Sequence, residues 1–148
     1  MFTHILLAVD GSSQTPRVVA LAAELASKTG ARISVTCCVD ESYAVDADTP
    51  GGPGEVSLYQ PACEEQDTAC QVVRAALTQL APLGERVSGQ VIVGEPAQAL
   101  VTEAERQQAS VIVMGHHRRT VFGRLLKGSV SADVVATAPC PVLVEVRE

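Results

Sequence analysis

The chain predicts an α/β fold: a doubly wound five-stranded parallel sheet with helices on both faces. Three observations carry this. Apolar runs of strand length alternate with longer stretches whose apolar residues recur at helical spacing. The strand-like runs are nearly continuous in Val, Ile and Leu, as expected for strands buried on both faces. Glycine, proline, serine and aspartate punctuate the boundaries. The 148 residues suit one domain, 1–148.

Each element has its own signal. His4 to Val9 is the first strand, closed by Asp10-Gly11-Ser12-Ser13. A helix follows over about Arg17 to Lys28, with Val18, Leu21, Ala22 and Leu25 on one stripe. Ser12, Ser13 and Thr15 are candidate caps, Pro16 suits a first helical position, and Gly30 is the stop. Arg32 to Val39 is the second strand. Residues 40–60, with Pro50-Gly51-Gly52-Pro53-Gly54 and several acids, are expected to be a flexible loop. It suits a lid, a docking segment for an unknown protein partner, or a disordered insertion.

A second helix is expected from about Pro61 to Leu80, ended by Pro82 and Gly84. Val87 to Val93 is the third strand, closed by Gly94-Glu95-Pro96. The third helix is Pro96 to Gln107 and the fourth strand Ser110 to Met114. Gly115 to Lys127 is a basic, glycine-bearing loop. A short helix from about Ser129 to Thr137 and a last strand, Pro141 to Val146, complete the chain. Ligands of such sheets bind beyond the carboxyl ends of the strands, where strand order reverses.

Composition bounds the function. Hydrophobic residues make up 47% and aromatic ones 3%, which excludes a disordered chain and disfavours a base-stacking platform. The net charge of −6 argues against a nucleic-acid or anionic-membrane partner. No apolar run reaches the ~18 residues of a membrane span, and the N-terminus carries no signal-peptide pattern. The five cysteines match no zinc or redox spacing. A cytoplasmic protein with reduced thiols is expected. Cys37, Cys38 and Cys140 suit packing as small hydrophobes. Cys63 and Cys70 lie seven apart on one helix, too distant to bridge.

The charge is unevenly spread. Eight acids fall between Asp40 and Asp67 with no base among them, and four of the 11 Lys and Arg residues lie between Gly115 and Ser131. That basic segment ends in Gly128-Ser129-Val130-Ser131 at a helix start. Free N–H groups and a positive dipole end attract phosphate there. The same residues equally suit a turn with an N-cap. Adjacent His116 and His117 suit a loop better than a metal, and no metal site is expected. Asp10 suits a turn-stabilising or ligand-contacting role better than a catalytic one. No Walker lysine motif and no nucleophile–base pair is legible, so no catalytic residue is assigned and binding is favoured over turnover.

The segment resembles the nucleotide-binding signature of the universal stress protein family. That signature is Gly, two residues, Gly, nine residues, then Gly-Ser or Gly-Thr. Gly115, Gly128 and Ser129 match it, and Arg118 stands at the second glycine. Ile5 to Ser12, Gly94-Glu95-Pro96 and Ala138 to Val144 are similar to the family's first strand and turn, its third helix start and its closing strand. The resemblance covers essentially the whole chain.

It implies a strand order of 3-2-1-4-5. It implies a stress-response or regulatory module binding ATP or another adenine nucleotide, with little or no hydrolysis. Ala8, Val9 and Asp10 would line the adenosine, and Cys38 and Val39 would offer backbone to the adenine. Gly115, Gly128, Ser129 and Val130 would hold phosphates. Read from the segment itself, Ser129 and Ser131 add hydroxyl donors. Arg118 would either occlude the phosphate channel or donate to a phosphate. The Gly115-His116-His117 start also resembles the subgroup that does not bind ATP, which lacks the Gly-Ser end kept here. A non-nucleotide-binding interaction protein and a weak ATPase are the alternatives. The resemblance implies a homodimer through the last strand, Pro141 to Val146. Its apolar character points the same way, because an apolar sheet edge needs cover.

Overall fold

A computed structural model describes residues 2–40, 55–116, 120–121, 124–125 and 130–147, with the backbone alone for 55–66, 120–121 and 124–125. Strand β1 (His4–Val9) leads to helix α1 (Thr15–Thr29) and strand β2 (Arg32–Asp40). Helix α2 (Glu55–Gln79) passes through a 3-10 helix (Ala81–Arg86) into β3 (Val87–Gly94). Helix α3 (Pro96–Gln107), β4 (Val111–Gly115), two-residue strands β5 (Thr120–Val121) and β6 (Arg124–Leu125), α4 (Val130–Thr137) and β7 (Val142–Glu145) complete the order.

Five strands form one all-parallel sheet, ordered β3-β2-β1-β4-β7, which is the expected 3-2-1-4-5. Alternation along each strand feeds two cores. From β1, Ile5, Leu7 and Val9 point to one face, where α1 and α2 pack through Val18, Val19, Ala22, Ala69, Val73 and Ala76. Leu6 points to the other, under Leu100 and Ala104 of α3 and Val134 of α4. Strand β4 splits likewise, Val111 and Val113 against Ile112 and Met114. Buried on both faces, these strands have no use for a polar position, which explains their continuous apolar sequences. Cys37 belongs to the first core and Cys140 packs against the second. Among the described residues no helix is long and apolar enough to cross a membrane.

Several boundaries differ from expectation for local reasons. Helix α2 starts at Glu55, not Pro61. The glycine–proline run stops at Gly54, so helix formers resume at once, and a glutamate suits a first turn. The expected loop therefore loses residues 55–60 to α2 and Asp40 to β2, and 41–54 lie outside the described residues. The N-cap of α1 is Gln14, with no side-chain cap bond, rather than Ser12, Ser13 or Thr15. Those residues instead knit the preceding turn: Asp10 Oδ1 accepts from the Ser12 amide at 3.0 Å and the Thr15 hydroxyl at 3.1 Å. Gly11 adopts φ 77° there, and a Cβ would lie 2.7 Å from Val72 Cγ2 of α2. The basic loop after β4 contains the antiparallel β5–β6 pair.

A buried carboxylate ties edge strand β3 to its helix. Glu103 of α3 is 9% exposed. It accepts from Gln90 Nε2 of β3 at 2.8 Å and Gln107 Nε2 at 2.7 Å, and pairs with the Arg106 guanidinium. Arg106, then the two amides, hold its carboxyl down to about 2 against the opposing effect of burial. The folded group titrates below its ordinary 4.5. Its stabilisation is therefore complete above that value and is lost as pH falls through about 2. Glu103→Gln turns an amide toward three donors. It is expected to lower the urea midpoint near neutral pH, with the deficit vanishing as pH approaches 2 in a denaturation series.

Candidate functional site

Sheet order reverses beside β1, with β2 and β3 on one side and β4 and β7 on the other. Helix α1 leaves β1 on one face, while α4 follows β4 on the opposite face. Two helices that leave adjacent strands on opposite faces are the arrangement that in such sheets opens a crevice at the carboxyl ends. Val9 is paired with Cys37, and Leu7 with Val113. Two residues further along the second register, Val9 stands level with Gly115.

The predicted site residues gather at this edge where they are described. Ala8 is half-buried, Val9 buried and Asp10 exposed in the turn held by its own carboxylate. Strand β2 continues past its last β1 pairing, through Cys38 and Val39 to Asp40, while still paired with β3. Its backbone facing the crevice at Cys38 and Val39 thus has no β1 rung. Gly115 ends β4, and Val130 and Ser131 open α4, with Ser131 buried. Arg118, Gly128 and Ser129 lie outside the described residues.

Two features were not foreseen. The first is Gln14, 2% exposed at the start of α1. Its Nε2 donates to the backbone carbonyls of Glu145 and Arg147, both at 2.7 Å, and of His116 at 3.2 Å. Its buried Oε1 has no partner among the described residues. A Cβ on Gly115 would stand 2.4 Å from that oxygen and 3.0 Å from Val18 Cγ2. Gly115, expected as a phosphate contact, thus has a packing role of its own. Nothing in the Ser-Ser-Gln-Thr stretch marks Gln14, because its partners lie more than 100 residues away.

The second is a pair of side chains. His116, expected as a loop residue, is half-buried, and its backbone N–H donates to the Glu145 carbonyl at 2.9 Å. Its Nδ1 lies 2.5 Å from Ser131 Oγ. The fold thus brings together a histidine and a serine that no local sequence pattern links. Fifteen residues of sequence separate the two, so only the fold of β4 against α4 reveals it.

The surrounding acids and thiols are quiescent. Arg147 grips Glu145 through Nε at 3.0 Å and a second nitrogen at 2.8 Å, and holds its carboxyl down to about 2. Burial, then Cys37, Asp40 and Glu95, push the Cys38 thiol up to about 11, so it is no thiolate nucleophile. Cys38 Sγ instead leans on the Gly94 carbonyl at 3.6 Å. Among the described residues no group of three His, Cys, Asp or Glu side chains is placed to hold a metal ion.

Residues 1–147 match the universal stress protein family. The chain belongs to that family. A Thermus aquaticus relative, "universal stress protein in QAH/OAS sulfhydrylase 3′ region", is 36% identical over 143 residues, covering 97% of this chain and 98% of that one. A universal stress protein family member from Burkholderia pseudomallei superposes with a TM-score of 0.73 at 27% identity, covering 97% of this chain and 96% of that one. The universal stress protein of Archaeoglobus fulgidus in complex with dAMP gives 0.69 at 25% identity, covering 97% of each chain. The fold and the family model thus agree.

The Gln14–Gly115 contact predicts a double-mutant cycle. Gly115→Ala must displace an amide anchored on three carbonyls, so it is expected to destabilise the chain by ~1–3 kcal/mol. In a Gln14→Ala background the same change should cost markedly less, because the obstructing oxygen is gone. Urea denaturation of the four proteins measures the coupling, and equal costs in both backgrounds would refute it.

Proposed function

We propose that this universal stress protein is a cytoplasmic, nucleotide-binding stress-response or regulatory module. It takes an adenine nucleotide, ATP, ADP or AMP, across the carboxyl ends of β1, β2 and β4, with little or no hydrolysis. The observation that carries this reading is the overrun of β2. Past Cys37 the β1 side of the strand has no rung, and one of Cys38 and Val39 turns its N–H and C=O toward the crevice, where an adenine edge needs donors and acceptors. Ala8, Val9 and Asp10 line the adenosine. Gly115, Val130 and Ser131, together with Gly128 and Ser129, receive the phosphates at the start of α4. The dAMP complex of the Archaeoglobus fulgidus protein supports the ligand class.

In this reading the chain works as a homodimer joined through its last strand. Strand β7 lies at the sheet edge. Leu143 is 38% and Val146 66% exposed beside it, and pairing two such edges across a two-fold axis removes both. Sedimentation at micromolar concentration is expected to give the mass of a dimer, and a monomer would overturn the assignment.

Titration calorimetry of ligand-stripped protein with ATP, ADP and AMP tests the nucleotide. Saturable heat is expected, weakened about tenfold by Ser131→Ala, the loss of one charge-assisted hydrogen bond. No response at millimolar nucleotide would leave the chain an interaction protein of the same fold. Where binding is seen, Arg118→Gly separates occlusion, where affinity rises, from direct contact, where it falls.

A further inference from the structure

We infer that two copies of this chain join in one particular register, with the two-fold axis passing through Leu143, so that Leu143 packs against the partner subunit's Leu143. This rests on the dimer reading above, which names the strand but not how two of them align. The backbone narrows the choice first. Ile112 N–H donates to the Pro141 carbonyl at 3.0 Å, and His116 N–H to the Glu145 carbonyl at 2.9 Å. Along a strand the N–H and C=O of one residue point to the same side, and that side alternates from residue to residue. Pro141, Leu143 and Glu145 therefore direct their backbone groups at β4, and Val142, Val144 and Val146 direct theirs at the open edge. Antiparallel edges bond only where one outward residue faces another. The axis must then pass through a residue, never between two. Axes through Leu143, Val144 and Glu145 are those that keep two or more rungs between valines.

Side chains choose among these three. Leu143 is paired with Val113 of the α1 face, and Glu145 lines a groove with Arg17, Ala20 and Leu21 of α1. Leu143 and Glu145 thus share that face, while Val142 and Val144 pack against the opposite core. On the α1 face the facing residues fall between bonded rungs, where two strands approach most closely. An axis through Glu145 sets two carboxylates directly opposite each other, which is destabilising. An axis through Val144 lays Leu143 over the partner subunit's Glu145 and its Arg147 guanidinium, which is 73% exposed in the single chain. Stripping water from an ion pair is costly. An axis through Leu143 avoids both. It covers an exposed leucine with its own copy and aligns Val142 with the partner subunit's Val144, twice by symmetry. Each Glu145–Arg147 ion pair then lies opposite a proline, the partner subunit's Pro141, at the rim of the seam.

Cysteine substitution reads the register directly. Facing Cα atoms of such a pair lie ~4.5 Å apart, within the span of a disulfide. Mild oxidation of Leu143→Cys is expected to convert most of the protein into a covalent dimer on a non-reducing gel. Val144→Cys and Glu145→Cys are expected to stay at the wild-type background set by the native thiols. Stronger linkage of either would overturn the register, and so would linkage of none in protein that sediments as a dimer. A wild-type monomer in sedimentation would instead overturn the dimer reading itself. A second pair of variants needs no oxidant and leaves Glu145 in place. Leu143→Lys and Leu143→Glu each set like charges face to face, so each alone is expected to weaken the dimer by about tenfold or more at low salt. Mixed one to one, they are expected to recover it as a heterodimer, because only a residue that faces its own copy exchanges repulsion for attraction on mixing. Undiminished dimers of the single variants, or no recovery in the mixture, would overturn the axis.

Discussion

One buried amide organises the end of the sheet where the site lies. Gln14 caps α1 by position, yet its side chain serves the carboxyl ends of β4 and β7 through three backbone carbonyls. Two hydrogens shared among three acceptors leave each bond short of ideal, and the buried Oε1 finds no partner among the described residues. An unsatisfied amide oxygen costs about 1–3 kcal/mol. The arrangement is tolerated because the alternative is worse: a flipped amide would turn its oxygen toward the same three carbonyls. The oxygen lies instead over Gly115, the position with no side chain to obstruct it. A residue expected from its motif to face a phosphate thus also makes room for the amide that fixes its own strand.

That amide matters because the crevice is a product of topology. The chain builds outward from β1 in one direction, then returns to β1 and builds in the other. Helices α1 and α4 consequently leave adjacent strands on opposite faces. Among the described residues β2 outruns β1, its pairing with β1 ending at Cys37 while that with β3 runs to Asp40. Gln14 spans the gap from the α1 side, and the His116–Ser131 contact spans it from the α4 side. The two meet at His116, whose carbonyl serves one and whose ring serves the other.

The sheet was legible in the sequence because burial on both faces writes itself as uninterrupted apolar runs. The strands fall within about a residue of where Val, Ile and Leu placed them, and α3 falls where Pro96 and its periodicity put it. Local chemistry was less legible. Pro61 suggested a helix start, although the helix runs through it from Glu55. The serines before α1 suggested caps, although Asp10 claims that turn. Long-range polar contacts left no local trace at all. The partners of Gln14 are dispersed over the last third of the chain, and Gln90 reaches Glu103 across the strand–helix step. The spacing of Glu103 to Arg106 and Gln107 was visible, but the same pattern decorates many solvent-facing helices.

A net charge of −6 is compatible with an anion site because of what the nearby acids already hold. Four carboxylates stand close to the carboxyl edge of the sheet, Asp40 at the end of β2 and three whose partners are described. Asp10 accepts from the turn that starts α1. Glu95 accepts from the Ala97 and Gln98 amides and neutralises the positive end of α3. Glu145 is matched by Arg147. Each of these three carboxylates is engaged by local donors, and Glu145 by a full positive charge. The bases between Gly115 and Ser131 have no acid of their own in sequence. An overall acidic surface therefore repels polyanions at long range, and a net charge of this size does not by itself bar a small anion from the switch point.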